Sequence, residues 1–308
     1  MKPTIQTTAA ADGFRGFLYE SAQPTDRCMI VIIGDDGDDF MDKAVARWLT
    51  ETARCHALCV ALRQEKRGET GVDRWPLEIA ERAVLWASQR YGKVGLLGMS
   101  MQAALVLSAS ARVPVSLTVA LTPCDFVPWG FHQGKIGRDS HGEWPSGHAA
   151  FTWRGKELPY QPAMLEKDDY WNLFCEAKKE HGEMHSRAVF DYSETHHPIA
   201  EDCFIPVENI QGRLVLIGAE DDAMWDTAKY IRRMARRLEE KNFPHPVDIL
   251  LHPLGTHFLV PDTLLTRAIP LLGGQIPKMF VSGRKNAAAC KAARMAVEEK
   301  LLAILQTW

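Results

Sequence analysis

The sequence predicts a doubly wound α/β domain built on a mostly parallel sheet. Three observations lead there. Runs such as Met29-Ile30-Val31-Ile32-Ile33 and Ala57-Leu58-Cys59-Val60-Ala61-Leu62 are apolar without interruption, as strands covered on both faces must be. Segments with the apolar period of a helix separate these runs. A strand–helix–strand–helix–strand rhythm at this spacing requires right-handed βαβ crossovers.

The elements follow in order. Gly13 to Tyr19 reads as a strand that ends at the turn Gln23-Pro24-Thr25-Asp26. After the strand Met29–Ile33 comes an acidic loop, Gly34 to Asp39. Asp42 to Ala57 carries a helical stripe of Ala46, Leu49 and Ala53. The strand 57–62 and a polar loop from Gln64 to Arg74 lead to Pro76, a helix-start residue, and a helix from Leu77 to Tyr91. Val94 to Leu97 is the next strand, with a helix behind it to about Ala111, and Val115 to Leu121 is the strand after that.

Beyond Leu121 the rhythm breaks. Residues 123–205 hold no convincing parallel strand, but they contain Trp129, Trp144, Trp153, Trp171, several prolines and a charged helical stretch from Lys167 to about His181. An interruption this long inside one domain reads as a lid or binding insertion, with a packed structural insertion as the alternative. The alternation resumes with the strand Arg213–Gly218, a helix from Asp226 to Lys241 and the strand Val247–Leu251. Residues 286–305 close the chain as an amphipathic helix with the stripe Ala289, Ala293, Ala296, Leu301 and Ile304. The expected organisation is one domain over residues 1–308, with 123–205 inserted in it.

Composition bounds what such a domain does. The 308 residues are 46% hydrophobic and 24% charged, enough apolar material for a large core. A formal net charge of −3 gives no electrostatic case for nucleic acid or for a polybasic membrane anchor. No apolar run reaches the ~18 residues of a membrane span, and the first residues lack a secretory apolar segment. The seven cysteines are scattered and odd in number, which suits small buried hydrophobes rather than a disulfide framework. A cytoplasmic location is expected, no cofactor is implied, and the oligomeric state is not readable.

The chemistry centres on Gly98-Met99-Ser100-Met101-Gln102. A serine between a buried strand and a helix, with glycine two residues before it, matches a nucleophile elbow, whose turn lifts the hydroxyl above the sheet. The helix behind it offers unpaired N–H groups and a positive dipole end. Gln102 stands where the full G-x-S-x-G pattern has its second glycine. The plain alternative is a serine N-cap in an ordinary loop.

A serine nucleophile needs a base, and the base an orienting acid. The strand ending at Ile217 is followed by Glu220-Asp221-Asp222, and the strand ending at Leu251 by His257. Both loops leave the carboxyl ends of strands, where open α/β sheets build sites. Order and placement thus agree with the Ser…Asp…His sequence of the α/β-hydrolase fold. Counting from Gly218 favours Asp221 as the acid, whereas counting back from Trp225 favours Asp222. Candidate oxyanion donors are the N–H groups of Met101 and Asp35. The aspartates of the 34–39 loop either point to solvent or bind a cation or a basic substrate group. Metal catalysis has no supporting spacing, since neither H-E-x-x-H nor C-x-x-C occurs.

With these residues in view, the chain resembles the C-terminal-domain family of acyl-CoA thioesterases and bile acid-CoA:amino acid N-acyltransferases, in its stand-alone bacterial form, over about residues 13–305. The stretches that carry the likeness are Trp75-Pro76-Leu77-Glu78, the elbow from Val94 to Ser100, Leu121-Thr122-Pro123-Cys124-Asp125-Phe126-Val127, Trp153 to Tyr160, and Ile205 to Ile210. The most specific is Asp221-Asp222-Ala223-Met224-Trp225, similar to the family's D-D-x-x-W, whose second aspartate is the triad acid. The resemblance therefore implies an α/β-hydrolase fold with Ser100, Asp222 and His257 as triad, Asp221 being the alternative acid. The mammalian members' N-terminal β-sandwich domain is not expected here.

The expected function is that of a serine acyl hydrolase, first an acyl-CoA thioesterase working through an acyl-enzyme, with a small acyl thioester or ester as its partner. Gln102, Trp129 and Trp225 are the candidate pocket residues, and the tryptophan-rich insertion is expected to cover the acyl group. The alternatives are a carboxylesterase or amidase for a small cationic substrate, and a hydrolase-fold binding protein silenced at Gln102.

Overall fold

The computed structural model describes residues 1–34, 36–63, 70–134, 146–164, 176–183, 185–269 and 273–308. In chain order its elements are β1 (Ile5–Thr7), α1 (Ala9–Asp12), β2 (Arg15–Tyr19), β3 (Arg27–Ile32), α2 (Phe40–Arg47), β4 (His56–Ala61), β5 (Thr70–Val72), β6 (Trp75–Pro76), α3 (Glu78–Ser88), β7 (Lys93–Met99), α4 (Met101–Ser110) and β8 (Leu117–Leu121). They continue with β9 (Phe131–Gly134), β10 (Phe151–Trp153), β11 (Lys156–Glu157), α5 (Arg187–His196), β12 (Arg213–Ala219), α6 (Thr227–Glu240), β13 (Val247–His252), α7 (Val281–Lys285) and α8 (Ala287–Thr307).

One eight-stranded sheet, in the order β1-β2-β4-β3-β7-β8-β12-β13, organises the molecule. From β4 to β13 every neighbouring pair is parallel, and only β2 runs against the rest, antiparallel to β1 and β4 near one edge. Residues alternate across β3, so Ile30 and Ile32 enter one core while Met29 and Val31 enter the other. The first core lies under α3, α4 and α6, with Val84, Leu105 and Met234 among its members. The second lies under α2 and α8, with Leu49, Val297 and Leu301. Helix α4 is buried on every side, which explains why its sequence is apolar all round rather than striped.

Several elements depart from the sequence expectation. The helix expected to reach Ala57 stops as α2, passes through a π-type turn over Trp48–Thr52, and yields at His56 to β4. Pro76 does not open a helix. It sits in β6, which pairs in parallel with β10 of the insertion; Trp75 donates to the Ala150 carbonyl (2.8 Å) and Leu77 to that of Thr152 (3.0 Å). The ladder uses the N–H groups on either side of Pro76, so its missing donor costs nothing there. The stripe of α8 is rotated from the expected one, with Ala289 and Ala296 exposed and Cys290, Val297 and Leu305 buried instead. Arg294 and Glu298 are carried inside with it, where Arg294 pairs with Asp262 and Glu298 accepts from Trp48 Nε1 and the Thr263 amide.

The insertion holds short strands: β9 against β5, and β10 against β6 and β11. Of the expected 167–181 helix, residues 176–181 are helical and 167–175 lie outside the described residues, as do Trp144 and Trp171. Ion pairs tie the insertion to α6. Arg233 grips Asp125 with two contacts of 2.6 Å, and Arg237 meets Glu201 at 2.6 Å and, just beyond the insertion, grips Glu208 with two contacts of 2.7 Å. Bidentate forks of this kind hold orientation as well as charge.

Candidate active site

Ser100 sits between β7 and α4 with φ 61° and ψ −128°, a region that L residues rarely occupy. The strain is held from both sides. The Ser100 amide donates to the Leu121 carbonyl at 2.9 Å, and its own carbonyl accepts from Ala103 N at 2.9 Å. The turn depends on Gly98, because a Cβ there would lie 2.3 Å from the Gln102 carbonyl oxygen. Gln102, half-buried in the first turn of α4, leaves the elbow formed. Thr122, just after β8, and Thr256, just before His257, also have positive φ, at 46° and 63°. Three strained non-glycine residues thus gather along one rim, as they do at functional sites.

The carboxyl ends of β7, β12 and β13 bring the three distant side chains together. Ser100 Oγ lies 2.9 Å from His257 Nε2. His257 Nδ1 faces both oxygens of Asp222, at 3.0 and 2.8 Å. Since the carboxylate accepts, Nδ1 carries the proton and Nε2 is left to accept from the serine hydroxyl. Asp222 is 1% exposed and further accepts from the Met224 amide (2.9 Å) and the Thr227 hydroxyl. Burial of a carboxylate is tolerable only with such a set of partners.

Asp221 does something different. Its Oδ1 accepts from the amides of Gly255 and Thr256, both at 2.9 Å, so it fixes the loop that presents His257 rather than the imidazole itself. Two neighbouring aspartates point apart because one belongs to the side chain of the histidine and the other to its backbone. The insertion holds the same acid loop from outside. Ser186 N and Arg187 N both donate to the Ala223 carbonyl at 3.1 Å, and Ser186 Oγ donates to Met224 O at 2.6 Å. Arg187 pairs with Asp226, the N-cap of α6. None of Thr227, Ser186 and Arg187 was singled out from sequence; only the place of Thr227 at the start of a helix just after the D-D-x-x-W stretch could have flagged it.

Met101 is the first residue of α4, where no intrahelical partner exists for its N–H, and none is paired with it among the described residues. Asp35, the other expected oxyanion donor, lies outside the described residues. The remaining aspartates of that loop are occupied. Asp36 lies within 4.0 Å of Arg15 and 3.9 Å of Arg63, Asp38 is 3.6 Å from Arg15, and Asp39 caps α2 by accepting from Met41 N and Asp42 N. Asp36, Asp38 and Asp39 thus each have a partner within the protein. Beneath the loop, Asp42 is fully buried, and burial, with the charge of Asp39 next, pushes its carboxyl up to about 8.

The expected pocket tryptophans are both buried. Trp129 (2% exposed) stacks on Phe190 at 4.7 Å, and Phe190 meets Trp225 edge-on at 5.2 Å. Trp225 donates from Nε1 to the Thr122 carbonyl and sets its ring perpendicular to the His257 imidazole at 5.0 Å. Both indoles belong to the α3/α4/α6 core, because large aromatic surfaces find more contact there than in an open pocket. An apolar cavity of about 140 Å³ lies on the α2/α8 side. Its walls include Ile33, Met99, Leu121 and Phe258, and neither Trp129, Trp225 nor Gln102 lines it. Among the described residues, no group of three or more His, Cys, Asp or Glu side chains gathers as a metal would require. No described helix is long and apolar enough to cross a membrane.

A family model described as BAAT / Acyl-CoA thioester hydrolase C terminal matches residues 84–264, more than half of the chain and all three of Ser100, Asp222 and His257. A search of curated proteins finds no match. Among solved structures, an esterase from Pyrococcus furiosus is similar at 13% identity, over 90% of this chain and 88% of that one, with a TM-score of 0.48. A carboxylesterase from Mesorhizobium loti is similar at 13% identity over 82% and 91%, with a TM-score of 0.44. An alpha-beta serine hydrolase homologue from Coxiella burnetii is similar at 9% identity over 88% and 95%, with a TM-score of 0.42.

Proposed function

The chain belongs to the BAAT / acyl-CoA thioester hydrolase C-terminal family, α/β-hydrolase enzymes, and from that premise we propose that it is a serine acyl hydrolase whose substrate is an acyl-CoA thioester. The observation that carries the proposal is the contact of 2.9 Å between Ser100 Oγ and His257 Nε2, with Asp222 on the other nitrogen of the ring.

In this reading the Ser100 hydroxyl attacks the acyl carbonyl while its proton passes to His257 Nε2. Asp222 holds the tautomer that makes Nε2 basic and faces the imidazolium that forms. The oxyanion of the tetrahedral intermediate is met by Met101 N–H at the positive end of α4. The carbon–sulfur bond then breaks, the departing thiolate takes the proton from Nε2, and the acyl group stays on Ser100. Water repeats the sequence: it gives a proton to Nε2 as it attacks, and Ser100 recovers one as the free acid leaves. The domain extends over residues 1–308, and the insertion 123–205 serves the site by bracing the acid loop through Ser186 and Arg187.

A hydrolysis panel of acyl-CoAs, simple esters and amides tests the proposal. Wild type is expected to turn over thioesters and Ser100→Ala to turn over none while keeping its fold. Comparable turnover by Ser100→Ala would contradict it.

A further inference from the structure

We infer that the acyl chain of the substrate enters the cavity between the sheet and helices α2 and α8, which limits the enzyme to short acyl groups. The inference rests on the hydrolase reading and adds the substrate's size and direction to it.

The cavity begins where the chemistry is. Met99 immediately precedes Ser100, Phe258 immediately follows His257, and Ile33 leads into the loop after β3, and all three line it. Consecutive Cα atoms are ~3.8 Å apart, so the wall of the cavity starts one residue from both reacting side chains. Leu97 and Met99 alternate along β7 so that both point to this face of the sheet. Val45 of α2 and Leu301 of α8 line it from the helical side. The lining side chains are apolar apart from the indole nitrogen of Trp48, and that N–H already donates to Thr263 Oγ1 and Glu298 Oε1. No lining side chain offers a free hydrogen-bonding group, so a hydrocarbon is the occupant that such walls favour.

Size sets the limit. A volume of about 140 Å³ is close to that of a cavity of ~150 Å³ that takes up benzene. A straight tail of roughly four to six carbons fits such a space. Longer tails would have to displace Val45 or Leu301 from a close-packed core. Trp129 and Trp225 of the opposite core are already consumed by packing on Phe190, which leaves that side of the site to the leaving group.

The test is kcat/KM for a series of p-nitrophenyl esters and acyl-CoAs from acetyl to hexadecanoyl. Wild type is expected to peak at butanoyl to hexanoyl. Val45→Phe should move the peak to acetyl or propanoyl, with about four-fold lost for each methylene that no longer finds the cavity. Leu301→Ala should move the peak to longer chains, a gain that an unfolded protein cannot show and that decides the matter should Val45→Phe fail to fold. Trp129→Phe should keep the wild-type ratio of hexanoyl to acetyl rates. A wild-type peak at dodecanoyl or beyond, or a profile that Trp129→Phe shifts and Leu301→Ala does not, would overturn the cavity assignment while leaving Ser100 chemistry standing. Wild type inactive on every chain length would overturn the hydrolase reading, and this inference with it.

Discussion

Replacing Asp222 by Asn, beside the same change at Asp221, separates the two neighbouring carboxylates. In Asp222→Asn the carboxamide fits the same space and can still accept from Met224 N, but it turns an N–H toward His257 Nδ1. The imidazole then protonates on Nε2, and that proton points at Ser100 Oγ, which keeps no base. The geometry survives and the tautomer is wrong, a change worth on the order of 10⁴ in kcat. At ~1.36 kcal/mol per decade this is about 5.4 kcal/mol of transition-state stabilisation. In Asp221→Asn the amide oxygen still accepts from Gly255 N and Thr256 N, so the loop stays in place and kcat should remain within about ten-fold of wild type. The assay is steady-state release of thiol from a short acyl thioester, with circular dichroism and thermal unfolding to show that both variants are folded. Equal losses at the two positions, or an Asp222→Asn enzyme within ten-fold of wild type, would refute the assignment.

Three further outcomes follow from the same geometry. Gly98→Ala would drive a methyl against the Gln102 carbonyl, and we expect a loss of about 1–3 kcal/mol in urea unfolding together with a collapse of turnover as the elbow shifts; unchanged kcat would show that the turn can relax. Asp42 has a folded value of about 8, above the unfolded ~3.9, so the stability it gains by holding its proton is complete below about pH 4 and declines by ~1.4 kcal/mol per pH unit toward pH 8. Asp42→Asn should therefore be more stable than wild type at pH 8 and nearly equal to it at pH 4, and chemical unfolding that shows the same difference at both would contradict this. Because Asp36 and Asp38 are paired with Arg15 and Arg63, KM for a cationic ester should follow that of its neutral isostere as salt rises, and a selective increase for the cation would show free acidic recruitment.

What the sequence made legible was whatever is written locally. Uninterrupted apolar runs gave β3 and β4 within a few residues, since a parallel strand buried on both faces leaves little room for polar side chains. Ser100 could be read from Gly98 and its flanking strand and helix, and Asp222 from the Trp225 spacing. Contacts made across long separations were not legible. Nothing near Asp36 announces Arg15 or Arg63, so its loop looked more acidic than it is. Pro76 looked like a helix start because its strand partner, Thr152, lies 76 residues away. The stripe of α8 was misplaced because buried Arg294 and Glu298 look like surface residues until Asp262 and Thr263 are found beside them. The packing of Trp129 and Trp225 on Phe190 was not legible either, since Phe190 stands far from both in the chain.

Covalent labelling with a fluorophosphonate followed by peptide mass spectrometry measures directly whether Ser100 is the nucleophile. One adduct per chain, on the peptide carrying Ser100 and absent from Ser100→Ala and His257→Ala, is the predicted result. A folded wild-type protein that takes no label, or takes it on another residue, would contradict it.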